Sequence, residues 1–319
     1  MGVSRKPKAQ GAAAAALARP AASDAGESMG QMVWRRFRNH PGARGGVIVL
    51  SLITLSALLA PLSPYSPVAS DMSARLEPPS LQHPMGTDSL GRDLLTRILY
   101  GGRVSLRVGL LVMLITLAIG IPIGASAGYF GGRVESMLMR LTDAALSLPS
   151  LLILILLSAL LTEVQVPLLS ANSVLTVSLV IGVLSWMTVA RLVRASYLTI
   201  RDLDFVMASR CLGASNTRLM VRHILPNAVG PIIVEATLVV GYAIMEESGL
   251  SFLGFGIQPP TPSWGNLLSD AQNHLTRHPW LAIFPGIMIF LTIISVNYIG
   301  DGLRDALDPH KLLRKVGEA

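Results

Sequence analysis

Between Gly45 and Gly300 the chain returns six times to long, nearly uncharged apolar runs, approximately Gly45–Leu62, Val104–Tyr129, Leu138–Leu161, Asn172–Val189, Ala228–Leu250 and Trp280–Gly300. A bilayer core is spanned by about 20 apolar residues in a helix, and a helix satisfies its own backbone polar groups where no water can. These runs therefore predict an all-α, polytopic membrane protein with six transmembrane helices. Only 14% of the 319 residues are charged and 51% are hydrophobic, against about 25% charged in a typical soluble domain.

The rest of the chain divides around the spans. Residues 1–44 read as a disordered basic arm, Ala-rich and poor in bulky apolar residues, ending in a basic, aromatic interfacial segment from Trp34 to Arg44. The run Ala12–Ala18 is not read as a signal peptide, because Ala-rich is not Leu-rich and a full span follows. Residues 45–62 form the first span, 63–102 an extracytoplasmic loop and elbow, 103–301 a core of five spans, and 302–319 a basic tail. Gly120, Gly124 and Gly128 repeat every fourth residue, which would put small residues on one helix face for close packing. Chance in a Gly-rich chain is the competing reading.

The basic residues set an orientation. With the N-terminus inside, Arg35, Arg36, Arg38, Arg44, Arg133, Arg140, Arg191, Arg194, Arg201, Arg210, Arg218 and Arg222 fall on the cytoplasmic side. Only Arg75, Arg92, Arg97 and Arg277 lie clearly in outer segments. Both termini are then cytoplasmic. The net charge of +7 is thereby explained without nucleic acid.

One polar island, Leu203–Asn227, stands between two spans. It reads as a helical hairpin: Asp202 or Asp204 caps a first helix, Gly213 ends it, Ser215 or Asn216 caps a second, and Pro226 stops that one. Leu219 with His223, and Met220 with Ile224, would share a face at helical spacing. A solvated loop is the plain alternative, although so much helical punctuation favours docking on a partner. The one cysteine, Cys211, lies here and excludes an internal disulfide.

This island resembles the cytoplasmic signature loop of permease subunits in bacterial ABC importers, and most closely the second permease of the dipeptide/oligopeptide/nickel family. Ala208, Gly213, Leu225 and Pro226 match the pattern. Met207 stands where that family usually has Glu, and Ser209 where it usually has Ala. His83–Gly109, beginning HPMGTDSLGRD, is the most specific match, and PSWGNLLSDA in the second outer loop also agrees. Read from its residues alone, His83–Gly109 is an outer elbow with a helix started by Asp88 or Ser89. Its lone His and Asp point to a turn rather than a metal site.

The resemblance implies a type I ABC importer permease fold. It also implies ATPase coupling through Asp204, Met207, Ala208, Gly213, Ala214, Arg222, His223 and Pro226. The implied partners are a homologous permease, two ATP-binding subunits that hold ATP and Mg, an extracytoplasmic substrate-binding protein and the lipid bilayer. Glu235, Glu247 and Asp143 are candidates for the translocation path or gate, since an ionised carboxylate in a span must face protein, water or a partner. Glu247 precedes the LSFLG run where the family also has Glu. The chain has no GxxxxGK[ST] phosphate loop, HExxH pair or GxSxG turn, so neither an ATP site of its own nor an enzyme is expected. Peptides are the first expectation for substrate. Nickel or glutathione-like solutes, or an ATP-independent secondary transporter or channel using Glu235 and Glu246, are the alternatives.

Overall fold

The computed structural model describes residues 29–163 and 173–307. Most of the basic arm, the tail beyond 307 and Asn172 at the start of the fourth span lie outside the described residues. Among the described residues the chain is helical, with a single isolated bridge between Thr87 and Asp93. The longer helices are α1 (Met29–Asn39), α2 (Pro41–Leu58), α3 (Leu94–Phe130), α4 (Gly132–Leu146), α5 (Ser150–Glu163), α6 (Ser173–Ile200), α7 (Asp204–Cys211), α8 (Asn216–Phe252), α9 (Trp264–Ala271) and α10 (Trp280–Leu307).

Five of these, α2, α3, α6, α8 and α10, are each long and apolar enough to cross a membrane. The pair α4 and α5, bent by 85°, brings the number to six when counted as one broken span. A single span over Leu138–Leu161 was expected, and the structure breaks it at Pro149. Proline lacks the N–H that would continue the ladder, and it drives the preceding residue, Leu148, out of helical conformation. The link between the second and third apolar runs is short. Gly131, at φ +66°, breaks the chain within one residue, and α4 resumes at Gly132.

The centre of the molecule is the parallel pair α3 and α6, which run side by side from Ile115 against Gly182 to Gly128 against Tyr197. A Cβ added at Gly120, Gly124 or Gly128 would meet Val189, Ala190 or Tyr197 of α6 at under 3.0 Å. The four-residue spacing is therefore a packing stripe and not chance. Helix α8 lies against both members of this pair, α10 against α8, and α2 on the outside of α10.

The elbow before α3 departs from the expected capping. Asp93, not Asp88 or Ser89, caps α3, and its Oδ2 accepts from the Thr96 amide at 2.7 Å. Asp88 instead anchors a buried cluster. One of its oxygens accepts from the amides of Leu90 and Arg92 at 2.9 and 3.0 Å. The other binds the Arg92 Nε at 2.7 Å and the Arg97 guanidinium. Burial pushes the Asp88 carboxyl up, but Arg97, Arg92 and the two amides together outweigh it and hold the group below its ordinary value. Asp270 of α9 reaches both arginines, at 3.6 and 3.4 Å, so the cluster ties α9 to the start of α3. His83 is used locally, with Nδ1 2.9 Å from Asp93 Oδ1.

Candidate functional site

The island Leu203–Asn227 folds as a helical hairpin with different seams from those expected. Leu203, without a side-chain hydrogen bond, occupies the N-cap of α7, and Asp204 takes the first turn. There a carboxylate still faces the positive end of the helix dipole. Gly213 closes α7 at φ +81°. Its N–H donates to Arg210 O at 3.0 Å, and that of Ala214 to Ser209 O at 3.2 Å, the paired bonds of a Schellman ending. Ser215 then caps α8 by accepting from the Arg218 amide at 3.4 Å.

Pro226 does not stop the second helix. The chain runs as a π-helix over Leu219–Ile224 and continues without a break to Phe252. The Leu225 N–H reaches back five residues to Met220 O. Opening the turn to five residues immediately before a proline shifts the ladder where Pro226 has no N–H to give. The same widening overturns the expected pairing at spacing four: within the π-helix, Leu219 and Ile224, five apart, are the two fully buried residues.

The hairpin is fastened to the spans by residues the sequence reading passed over. Tyr129, at the end of α3, donates its hydroxyl to Asn216 Oδ1 at 2.8 Å. Tyr197 of α6 donates to Met220 O at 3.0 Å, inside the π-helix. Arg201 donates to Gly128 O at 2.8 Å, and the Arg210 guanidinium lies 5.8 Å from the centre of the Tyr129 ring. Val206, on the inner side of α7, is fully buried. The only signal of this clamp in the sequence is Tyr and Arg placed near helix ends, which is too common to single out. On the outer surface, Leu203, Phe205, Met207 and Leu212 are exposed, Leu212 at 88%. Ala208, Arg222 and Pro226 are exposed beside them, and Ala214 and His223 are half-buried.

The three path candidates occupy separate environments. Asp143 is at the surface of α4, paired with Arg191 Nη2 at 2.5 Å with both side chains more than half exposed. Its neighbour Arg194 binds Glu135 through Nε at 2.8 Å. Glu247 is fully buried. It accepts from Ser251 Oγ at 2.7 Å and Ser105 Oγ of α3 at 3.1 Å. Ser105 in turn accepts from the Trp264 amide at 3.4 Å, and Trp264 Nε1 donates to Ile98 O at 3.0 Å. Glu247 thus ties α3, α8 and the short helix α9 together. Glu235 lines a cavity of about 490 Å³ between α6, α8 and α10, together with Arg304.

Residues 120–312, which contain the hairpin and all three carboxylates, match the family model described as "Binding-protein-dependent transport system inner membrane component". The chain belongs to this family of transport-system membrane components. Residues 28–79 match a second model, the N-terminal TM domain of oligopeptide transport permease C. Asp88, Arg92 and Arg97 lie between the two matched regions, and their partner Asp270 lies within the first.

The family's members are transport subunits. Among relatives, the chain is 40% identical to the di/tripeptide transport system permease protein DppC of Pseudomonas aeruginosa, over 86% of this chain and 90% of that one. It is 41% identical to the dipeptide permease DppC of Bacillus subtilis, over 88% and 85%. With the oligopeptide permease OppC of the same organism it shares 38% identity, over 91% and 95%. A chain of the MetNI methionine ABC transporter, in an inward-facing form, matches the fold with a TM-score of 0.52 at 16% identity, over 69% of this chain and 95% of that one. The type I importer permease architecture is therefore the fold of this chain.

Proposed function

We propose that this chain is the permease subunit of an ATP-driven importer of short peptides, and that the Leu203–Asn227 hairpin is the lever on which an ATPase partner acts. The observation that carries this reading is the combination found at the hairpin. Its outer face is an exposed apolar patch on an otherwise polar turn, its inner face is hydrogen-bonded to the ends of α3 and α6, and its second arm runs on into α8. Exposed apolar patches rimmed by polar residues mark protein contacts. A push on this patch moves three spans together, because tyrosine hydrogen bonds join the hairpin to α3 and α6 and its second arm continues directly into α8. Met207, exposed at 54%, replaces an ionic contact at the docking face with an apolar one.

The full assembly then contains a homologous permease, two ATP-binding subunits holding ATP and Mg, and an extracytoplasmic binding protein that delivers substrate. This chain supplies half of the path and no ATP site. The hairpin and both termini face the cytoplasm, in accord with the arginines at that end. Peptide as cargo rests on the names of relatives at about 40% identity across nearly the whole chain.

Gly213→Val tests the lever. No atom lies within 4 Å of a Cβ at this position, so only the backbone resists. A β-branched residue held left-handed costs about 1–2 kcal/mol. The variant is expected to insert and assemble normally while dipeptide-stimulated ATPase activity and uptake fall together, and Gly213→Asn should retain most of both. Full coupling in Gly213→Val would refute the assignment.

A further inference from the structure

We propose that the cavity between α6, α8 and α10 is a subsite for the two charged ends of a free short peptide, Glu235 receiving the α-ammonium and Arg304 the α-carboxylate. The inference rests on the peptide-importer reading above and names a site within it.

Three observations carry it. First, Glu235 and Arg304 both line the cavity, and neither has a hydrogen-bond or ion-pair partner among the described residues. By contrast Asp88 pairs with Arg92 and Arg97, Asp143 with Arg191 and Glu135 with Arg194, and Glu247 is held by Ser105 and Ser251. A carboxylate half-buried in an apolar helix is costly unless it faces a partner or a polar ligand. Second, the rest of the wall is aliphatic, formed by Leu192, Pro231, Val234 and Leu238. Such a wall accepts varied side chains without selecting among them, while the two charges fix the termini. Third, about 490 Å³ falls within the range of small-ligand pockets, about 300–1,000 Å³. Charge-assisted hydrogen bonds at both ends of a zwitterion supply orientation, and guanidinium suits a carboxylate by its paired donors.

The test uses the assembled transporter in liposomes, with Cys211→Ser and Val234→Cys introduced so that a maleimide reports on the cavity. Dialanine is expected to slow labelling, whereas N-acetyl-dialaninamide, which has neither terminal charge, is not. In Glu235→Gln and in Arg304→Gln the concentration of dialanine needed for protection should rise roughly tenfold or more, the loss of one hydrogen bond to a charged group. Uptake of labelled dialanine by the same liposomes reads the parent hypothesis separately. Uptake without protection overturns the subsite and leaves the importer standing. Absence of both overturns both. Labelling that responds to anionic lipid content and to Arg304→Gln, but not to dialanine or Glu235→Gln, makes the cavity a lipid-phosphate site and also overturns the proposal.

Discussion

Gly124→Ala adds one methyl group at the tightest point of the α3–α6 seam. The new Cβ would stand 2.3 Å from Ala190 O and 2.8 Å from Val193 Cβ. Ordinary contact begins at 3.4 Å, so about one ångström of separation is required, and against a backbone carbonyl no side-chain rotation can supply it. Two helices packed along their whole length cannot part at one point without losing neighbouring contacts, and in a bilayer no hydrophobic gain compensates. Overpacking costs about 1–3 kcal/mol. The better helix propensity of Ala over Gly returns at most about 1 kcal/mol; against an unyielding backbone carbonyl the upper end of the overpacking range applies, which leaves a net loss of about 2 kcal/mol. Gly249→Ala is the control: it lies in α8 with nothing within 4 Å of its Cβ, so only the propensity gain remains. The assay is the midpoint of thermal unfolding of the purified transporter in detergent. Gly124→Ala should lie below wild type and Gly249→Ala at or above it. Gly128→Ala, which meets Tyr197 Cβ at 2.6 Å and Arg194 O at 2.7 Å, should fall near Gly124→Ala. If Gly124→Ala is as stable as wild type, the close-packed seam is not the central support of the fold.

Asp88→Asn leaves the buried Arg92 and Arg97 with only the half-exposed Asp270, and removing one partner of a buried ion pair costs about 3–5 kcal/mol; detergent-extracted protein should unfold at markedly lower temperature. The same carboxyl sets an acid limit. Because its folded value is depressed, its contribution is complete above the unfolded value of about 3.9 and is lost as pH falls through the folded value. A pH titration of stability should show a loss confined to that acid range and absent from Asp88→Asn. Tyr197→Phe removes the hydroxyl bond to Met220 O and should cost about 0.5–1.5 kcal/mol. It should also weaken coupling more than insertion, read as dipeptide-stimulated ATPase activity against the amount of assembled complex.

Much of this protein was readable from residue order because the signals were local. An apolar run of span length has no soluble solution, so the membrane class and the order of the spans follow from the sequence alone. Gly213 and Ser215 were readable for the same reason: a left-handed helix ending and a hydroxyl cap are decided within four residues. Tertiary structure decided the rest. The run Leu138–Leu161 became two helices bent by 85° at Pro149 and not one span, and Pro226 was absorbed by a π-turn held by Tyr197 rather than stopping a helix. Asp88 and Asp93 carry equally good capping side chains. The guanidinium of Arg97, nine residues further on, and Asp270 of α9 claim the Asp88 cluster and leave the cap to Asp93. Glu235, Glu247 and Asp143 look alike in sequence as carboxylates in or near spans. Which one is sealed by serines, which pairs at the surface and which faces a cavity depends on the helices brought against them, and no local pattern encodes those neighbours.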